Sequence, residues 1–283
     1  MPAIARTRKS PARRVAEKGG DLLSATAPRN TDQFVQSFAK GLSVIRTFGS
    51  ETRALTLSQV SAQTGLTRAA ARRILLTLQT LQYVRCDGRD FSLTPKILDL
   101  GYSYLSATPL WNVAEPFMEE VVNAVHESCS ASVLDGTEIV YILRVPTKKI
   151  MAINLSIGSR LPAFCTSMGR VLLGDLSDEA LDAVLVRSRL KTLTPGTETN
   201  PARLRQIIRE DHRKGWSLVD QELEVGLVSL SVPIKDRNGR ILAAMNVSGQ
   251  TSRTPPADMI KRFLPVLNRA AARINAALRL RQV

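Results

Sequence analysis

Two short capped helices separated by a glycine constrain the fold more than any other stretch of this chain. Thr56 and Gln59 form a capping-box pattern at the start of a short helix that ends at Gly65. Thr67 then caps a second helix, in which apolar residues recur at steps of three and four. Two helices joined by a tight glycine-containing turn predict a helix-turn-helix unit.

The segments on either side extend this unit into a winged form. Apolar residues in "TDQFVQSFAKGLSVIRTF", residues 31–48, follow a helical period and predict a preceding amphipathic helix. After the second helix, "YVRCDGRDFSL" has strand-forming residues on both sides of Asp87-Gly88, a strong hairpin signal. The sequence therefore predicts a winged helix-turn-helix domain over residues 32–94.

The stretch "GLTRAAARRI", residues 65–74, places arginines and small alanines on one helix. The second helix of such a unit enters the DNA major groove, where arginine pairs with guanine and alanine allows close approach. A solvated helix face would have the same composition, but the capped helices, the turn and the basic hairpin together favour DNA binding. The candidate DNA-binding residues are Thr67, Arg68, Ala69, Arg72 and Arg73 on the helix, with Arg85 and Arg89 on the wing.

Charge supports a polyanionic partner. The 283 residues carry a formal net charge of +14, which favours nucleic acid or an anionic membrane surface. Residues 1–31 hold seven basic residues against Glu17 and Asp21 and predict a disordered arm, either a solubilising tail or an anchor to phosphates. No apolar run is long enough for a membrane span or a signal peptide, so we expect a cytoplasmic protein.

A different kind of region follows the wing. Thr94 and Pro95 can begin a linker helix over residues 95–108. Residues 109–283 then mix helices with two hairpins, whose turns are Asp135-Gly136 and Asn238-Gly239, and close with a helix over 258–280. Strands and helices without regular alternation predict an α+β domain.

Cysteine and histidine usage argues against metal binding and catalysis. Cys86, Cys129 and Cys165 are widely spaced and odd in number, so we expect no disulfide framework. His126 lies three residues before Cys129, but the spacing matches no zinc pattern. Cys165 with His126 or His212 could be offered as nucleophile and base, yet no recognisable motif flanks them. The sequence therefore predicts a non-enzyme without metal or cofactor.

Over residues 34–280 the chain resembles the IclR-type transcriptional regulators. The likeness rests on the domain order and on "RLPAFCTSMGRVLL", "GWSLVDQELEVGLVSLSVPI" and "NGRILAAMNVSG". Two stretches, "GLTRAAARRILLTL" and "RVPTKKIMAINLSIGSRLPAFCTSMGRVLL", are most similar to the Pca and Pob regulators of the β-ketoadipate pathway. The resemblance implies a GAF-like sheet domain that binds a small organic acid, and a homodimer or dimer of dimers on operator DNA.

The resemblance also implies an effector pocket. A helix starting near Thr166 would offer a carboxylate its free N–H groups and dipole. Met168 stands where other members often have a smaller residue, which would narrow the pocket. Arg144 in "RVPTKK" is a candidate second anion partner, although a surface ion pair is its simpler explanation. The candidate effector-binding residues are Ser167, Met168, Asp220, Ser229, Asn246, Ser248 and Arg144.

The resulting functional hypothesis is a DNA-binding regulator of aromatic-acid catabolism. Its effector would be β-ketoadipate, protocatechuate or a hydroxybenzoate. One alternative is an IclR-type regulator of another carboxylate pathway, such as glyoxylate or sugar-acid catabolism. Another is an architectural DNA binder without a ligand, which would leave the region after the linker without a role.

Overall fold

The computed structural model describes four stretches of the chain: residues 34–49, 52–107, 110–147 and 155–280. The described residues divide into two compact units, 34–107 and 110–280. The predicted basic arm, residues 1–31, lies outside the described residues.

The N-terminal unit has four described α-helices, three of which pack with a small antiparallel sheet around one core. Its helices are α1 (Gln36–Ile45), α2 (Leu57–Thr64), α3 (Arg68–Thr80) and α4 (Leu98–Ala107). Its strands are β1 (Leu55–Thr56), β2 (Val84–Asp87) and β3 (Asp90–Leu93), in the order β1-β3-β2. The buried core side chains are Val44, Leu55, Val60, Ala71, Leu75, Leu78, Val84 and Phe91. This arrangement confirms the predicted winged helix-turn-helix.

Local signals explain where these elements begin and end. The Thr56 hydroxyl accepts the Gln59 N–H while the Gln59 side chain accepts the Thr56 N–H, so the predicted capping box is formed. Gly65 ends α2 with a φ of 67°, a left-handed conformation that glycine adopts without strain. Thr67 Oγ1 accepts the N–H of Ala70 over 3.2 Å and caps α3 as predicted.

Two sequence expectations for this unit were wrong in detail. The first helix begins at Gln36 and ends at Ile45, shorter than the predicted 31–48, since no side chain caps its start and the chain turns after Ile45. Thr94 does not cap a helix, because its hydroxyl donates to the Gln82 carbonyl over 2.5 Å. The linker therefore starts with a 3₁₀ turn, Pro95–Ile97, before α4.

The C-terminal unit is a six-stranded antiparallel sheet with helices on both faces. The strands are β4 (Cys129–Asp135), β5 (Glu138–Val145), β6 (Arg160–Pro162), β7 (Ser217–Asp220), β8 (Leu227–Lys235) and β9 (Ile241–Gln250). The helices are α5 (Leu110–Val125), α6 (Ser167–Gly174), α7 (Asp178–Arg187), α8 (Pro201–Lys214) and α9 (Pro256–Leu280). The strand order is β6-β5-β4-β9-β8-β7.

Each face of this sheet has its own core. Helices α5 and α9 pack on one face, against side chains that include Val228, Leu230 and Val232. Helix α6 covers the opposite face and is itself packed against α8, which α7 flanks. The architecture confirms the predicted α+β class, and both predicted hairpins form, with Gly136 and Gly239 at positive φ. In the part of the chain that the structure describes, no helix is long and apolar enough to cross a membrane.

Candidate DNA-binding helix and effector pocket

The N-terminal half of α3 presents a basic, solvent-facing surface. Ala71, Leu75 and Leu78 are buried in the core, so the remaining sides of the helix face outward. No acidic residue lies in the first turn of α3, and its amide dipole adds positive potential there. All seven sequence-predicted DNA-binding residues are exposed: Thr67, Arg68, Ala69, Arg72, Arg73, Arg85 and Arg89.

The wing contributes two arginines in different settings. The Arg85 Nε donates to Ser92 Oγ across the hairpin over 3.0 Å, which holds its side chain along the sheet. Arg89 lies at the exposed tip, next to Gly88. Asp87 and Asp90 flank the same tip, so the basic character of this surface comes mainly from α3.

In the C-terminal unit, the first turn of α6 is buried against the loop that leads into it. Thr166 caps the helix by accepting the Gly169 N–H over 3.3 Å. A Cβ on Gly169 would lie 2.1 Å from the Ala163 carbonyl oxygen, so only glycine fits there. Ser167 is 1% exposed, and its hydroxyl has no hydrogen-bond partner among the described residues. The earliest N–H groups of a helix have no intrahelical acceptor, so this buried turn offers donors to a ligand.

Opposite α6, polar side chains line the face of the sheet that the helix covers. Strand register places Ser229 beside Ser248, and Asn246 beside both Ser231 and Ser130. Directly paired residues share a sheet face, so these side chains lie opposite the apolar core of α5 and α9. The Asn246 Nδ2 donates to Ser248 Oγ over 3.0 Å, while its Oδ1 is buried and has no partner among the described residues.

Two contacts lie at the β4–β5 end of this polar face. Ser132 donates to the Met168 sulfur over 3.3 Å, so the methionine of α6 rests on the sheet. Arg144 pairs with Ser130 in the register and donates to its hydroxyl over 3.3 Å. Burial raises the pKa of Tyr141 to about 12, and the nearby positive charge of Arg144 opposes that rise. Arg144 therefore supplies positive potential at this end of the polar face.

The structure does not bring Asp220 to this face. Strand β7 places Val219 beside Ser229, whereas Asp220 pairs with Val228, whose side chain belongs to the core of α5 and α9. Side chains alternate along a strand, so a shift of one residue moves a position to the opposite face. The residue of β7 on the same sheet face as Ser229 is thus Val219.

An ion pair beneath α6 was missed by the sequence reasoning. Arg170, the fourth residue of α6, is 3% exposed, and its Nη2 lies 2.7 Å from the carboxylate of Glu222. The only sequence signal was the single arginine inside the otherwise apolar stretch "MGRVLL", and nothing in the acidic stretch "DQELEV" singled out Glu222. The sequence reasoning also did not single out Ser130 and Ser231, which lie beside Asn246 on the polar face.

Cys165, the candidate nucleophile, is buried in the same region. Burial raises the pKa of its thiol to about 12, with a further contribution from the Glu222 carboxylate, so the thiol is protonated at neutral pH. His126 and His212 are both exposed. Within the described ranges, no group of three or more His, Cys, Asp or Glu residues could hold a metal ion.

Family models match most of the chain in two segments. The "IclR helix-turn-helix domain" matches residues 37–88, and "Bacterial transcriptional regulator IclR C-terminal" matches residues 102–276. The chain is 43% identical to the Pca regulon regulatory protein of Pseudomonas putida, over 91% of this chain and 86% of that protein. It is 33% identical to the p-hydroxybenzoate hydroxylase transcriptional activator of Acinetobacter baylyi, over 85% and 91%.

Solved structures agree with these matches. A transcriptional regulator from Rhodococcus sp. RHA1 superposes with a TM-score of 0.79 at 45% identity, covering 87% of this chain and 99% of that one. An IclR homolog from Microbacterium hydrocarbonoxydans, crystallised in complex with 4-hydroxybenzoate, has the same fold at a TM-score of 0.77. Its identity is 24%, over 86% of this chain and 99% of that one.

Proposed function

Because this chain belongs to the IclR family of transcriptional regulators, we propose that it binds operator DNA and adjusts transcription of genes for aromatic-acid catabolism in response to a small carboxylate. The observation that carries the effector half of this proposal is that two buried polar atoms, one on α6 and one on the sheet face that α6 covers, have no hydrogen-bond partner among the described residues. These atoms are Ser167 Oγ on α6 and Asn246 Oδ1 on the sheet. Unpaired polar atoms cost free energy inside a protein, so a ligand that pairs with them stabilises the site.

The DNA half of the proposal rests on α3. Its exposed arginines stand where a recognition helix reaches base edges, and Arg72 is the candidate for bidentate pairing with guanine. Ala69 is small enough for contact with a thymine methyl group. Thr67, Arg68 and Arg73 then contact bases or phosphates, and Arg85 and Arg89 on the wing contact phosphates or the minor groove.

The chemistry of the cleft favours a ligand with an anionic end and a second polar end. The N-terminus of α6 and Ser167 suit a carboxylate. Ser229, Asn246 and Ser248 then bind the other end, with Arg144 as a further anion partner. Met168 occupies space near the helix start, which favours β-ketoadipate, protocatechuate or a hydroxybenzoate. The regulator named for p-hydroxybenzoate hydroxylase and the hydroxybenzoate-bound homolog support this choice. Glyoxylate or a sugar acid is the alternative.

Exposed apolar side chains in the N-terminal unit support a homodimer. Phe38 on α1 is 68% exposed, and Leu98 and Tyr102 on α4 are each 69% exposed. Side chains of this size cluster on a surface mainly where another molecule covers them. A second copy would also supply a second α3, so the dimer or dimer of dimers reads a palindromic operator with half-sites one helical turn or a multiple apart. Acid binding would then shift the dimer between two arrangements.

The protein acts by binding rather than by catalysis in this proposal. The relatives are transcriptional regulators, and the buried thiol of Cys165 is protonated at neutral pH. In this proposal the regulator works in the cytoplasm and uses no metal or cofactor.

Calorimetric titration of β-ketoadipate, protocatechuate and 4-hydroxybenzoate into the purified protein tests the effector proposal. We expect one of these acids to bind without being consumed, and Ser167→Trp to abolish binding by filling the carboxylate end. Asn246→Leu keeps the approximate volume and removes the unpartnered oxygen, so it should weaken binding even if the tryptophan variant does not fold. If none of the acids binds, or if both variants bind as tightly as the wild type, the pocket is wrongly assigned.

A further inference from the structure

The buried ion pair between Arg170 and Glu222 connects α6 to the segment after β7. Glu222 is 8% exposed, so both charges have lost most of their water. Removing two charges from water costs more than a simple pair regains unless further hydrogen bonds satisfy them. Well-packed apolar residues of similar volume avoid this desolvation cost and often give equal or greater stability. Stability alone therefore does not account for a buried ion pair at this position.

The second bond of Arg170 reaches back past the start of its own helix. Its Nε donates to the Phe164 carbonyl over 3.0 Å, in the loop that runs into α6. Thr166 holds the same loop by donating to the Pro162 carbonyl over 3.0 Å. Together with the close approach of Gly169 to Ala163, these bonds fix the path of the chain where the first free N–H groups of α6 emerge.

Glu222 is held on its other side by the loop before α8. Its carboxylate accepts the Glu198 N–H over 3.1 Å, and its backbone carbonyl accepts the Thr197 hydroxyl over 2.6 Å. Thr194 donates to the neighbouring Gln221 carbonyl over 2.6 Å. Glu222 is therefore anchored by one loop, residues 194–198, which is distant from it in sequence, and its carboxylate bridges that loop and Arg170.

The charge arrangement matters as well as the geometry. A positive charge in the first turn of a helix opposes the dipole, and Glu222 neutralises Arg170 at that point. The guanidinium donates to Glu222 and to the Phe164 carbonyl, and Thr166 accepts the Gly169 N–H. The N–H groups of Ser167 and Met168, which have no acceptor within the helix, and Ser167 Oγ are then the first-turn groups for the ligand.

We infer that Arg170 and Glu222 are positioning residues, which fix the first turn of α6 so that its N–H groups and Ser167 meet the ligand carboxylate. This inference rests on the proposed function, because it assigns the pair a role in selecting an acid at that site. A purely structural pair would affect the binding of acids and of their neutral amides equally. A positioning pair affects mainly the acid, since only the carboxylate gains a charge-assisted hydrogen bond from fixed donors.

A double substitution separates the two roles. Arg170→Met with Glu222→Met replaces the pair by side chains of similar length that can pack in an apolar site, so we expect this protein to fold. Arg170→Lys retains the charge but not the fork that reaches both partners, and it provides a milder variant should the double variant fail to fold.

The first measurement needs no ligand. Amide hydrogen exchange should become faster in residues 163–169 of the double variant and of Arg170→Lys, while β8 and β9 remain as protected as in the wild type. Asp178→Asn provides the matched control, because Arg209 pairs with Asp178 and donates to the Gly174 carbonyl at the opposite end of α6. Unchanged exchange in residues 163–169 of the variants that fold would overturn the inference.

The second measurement compares protocatechuate with 3,4-dihydroxybenzamide, and 4-hydroxybenzoate with 4-hydroxybenzamide. The preference for acid over amide should fall about tenfold in the double variant, a loss typical of one hydrogen bond to a charged group, and stay at the wild-type ratio in Asp178→Asn. An unchanged ratio in a folded double variant would overturn the inference. If the wild type binds no acid or amide, the effector proposal fails, and the exchange measurement still decides whether the pair positions the turn.

Discussion

Helices α3 and α6 begin in the same way and end up in opposite environments. Each is capped by a threonine hydroxyl that accepts the third helical N–H, over 3.2 Å from Thr67 and 3.3 Å from Thr166. The N-terminal half of α3 carries the exposed arginines Arg68, Arg72 and Arg73, whereas every residue of α6 is buried. Both N-termini favour an anion. In the proposed function, the exposed start of α3 meets an extended polyanion, and the buried start of α6 meets a small anionic ligand.

The largest difference between the two helices should appear when a methyl group is added to the first turn. Gly169→Ala places a Cβ 2.1 Å from the Ala163 carbonyl, so we expect a loss of about 3 kcal/mol in the C-terminal unit, at the upper end of overpacking costs. The control Ala69→Ser lies on the exposed side of α3 and should cost no more than about 0.5 kcal/mol. Urea unfolding measures both, and equal small losses would show that the first turn of α6 is not tightly enclosed.

Substitutions on the exposed side of α3 should instead change the affinity for DNA. Arg72→Ala should lose about 1–3 kcal/mol on the specific operator and flatten the preference at one base position in each half-site. Arg89→Ala at the wing tip should weaken binding to all sequences alike. Fluorescence anisotropy with operator and random duplexes separates these effects. Small, equal losses from both variants on both duplexes would reject α3 as the recognition helix.

Removing the two caps compares the helices directly. Thr67→Ala should cost about 1 kcal/mol, the usual cost of a lost N-cap. Thr166→Ala should cost about 2 kcal/mol, because its buried hydroxyl also donates to the Pro162 carbonyl. Chemical denaturation of each unit gives the two values. A larger loss from Thr67→Ala would contradict the assignment of α6 as the more constrained helix start.

The smallest expected effect depends on pH. Burial raises the pKa of Asp211 on α8, against a bond from Ser217 and the charges of Arg170 and Lys214. A raised carboxyl pKa destabilises the folded state as pH rises through it, and the penalty is absent below about pH 4. Asp211→Asn should therefore gain stability relative to the wild type between acidic and neutral pH. Unfolding free energies of both proteins, measured across that pH range, check this prediction. A difference between variant and wild type that does not change with pH, or that falls as pH rises, would contradict it.

The same contrast explains how far the sequence could predict each region. The capping box at Thr56 and the hairpin turns at Gly88 and Gly239 are local patterns, so their residue types were sufficient. The polar face beneath α6 depends on pairing Ser130 with Asn246, a register between strands far apart in the chain. Sequence alone does not set that register. The candidate effector residues, Asp220 among them, came from the family resemblance, and Arg144 was proposed from the stretch "RVPTKK".

Two particular misses have the same physical cause. Asp220 and Val219 differ by one position, and only the pairing of β7 with β8 decides which of them lies on the sheet face that α6 covers. Arg170 and Glu222 are 52 residues apart, so nothing local predicts that they meet. Sequence analysis therefore could not predict contacts between residues that are far apart in the sequence and meet only in the folded chain.

Operator affinity measured with and without the bound acid tests the central claim that the two anion sites are coupled. Anisotropy titrations on the promoter duplex should show at least a fivefold change in operator Kd when the acid saturates the protein, the lower end of usual coupling energies. By reciprocity, the operator should change the acid Kd by the same factor. The shift should disappear in Asn246→Leu. An operator Kd that no acid of the panel changes, or a shift that persists at full size in Asn246→Leu, would contradict this account.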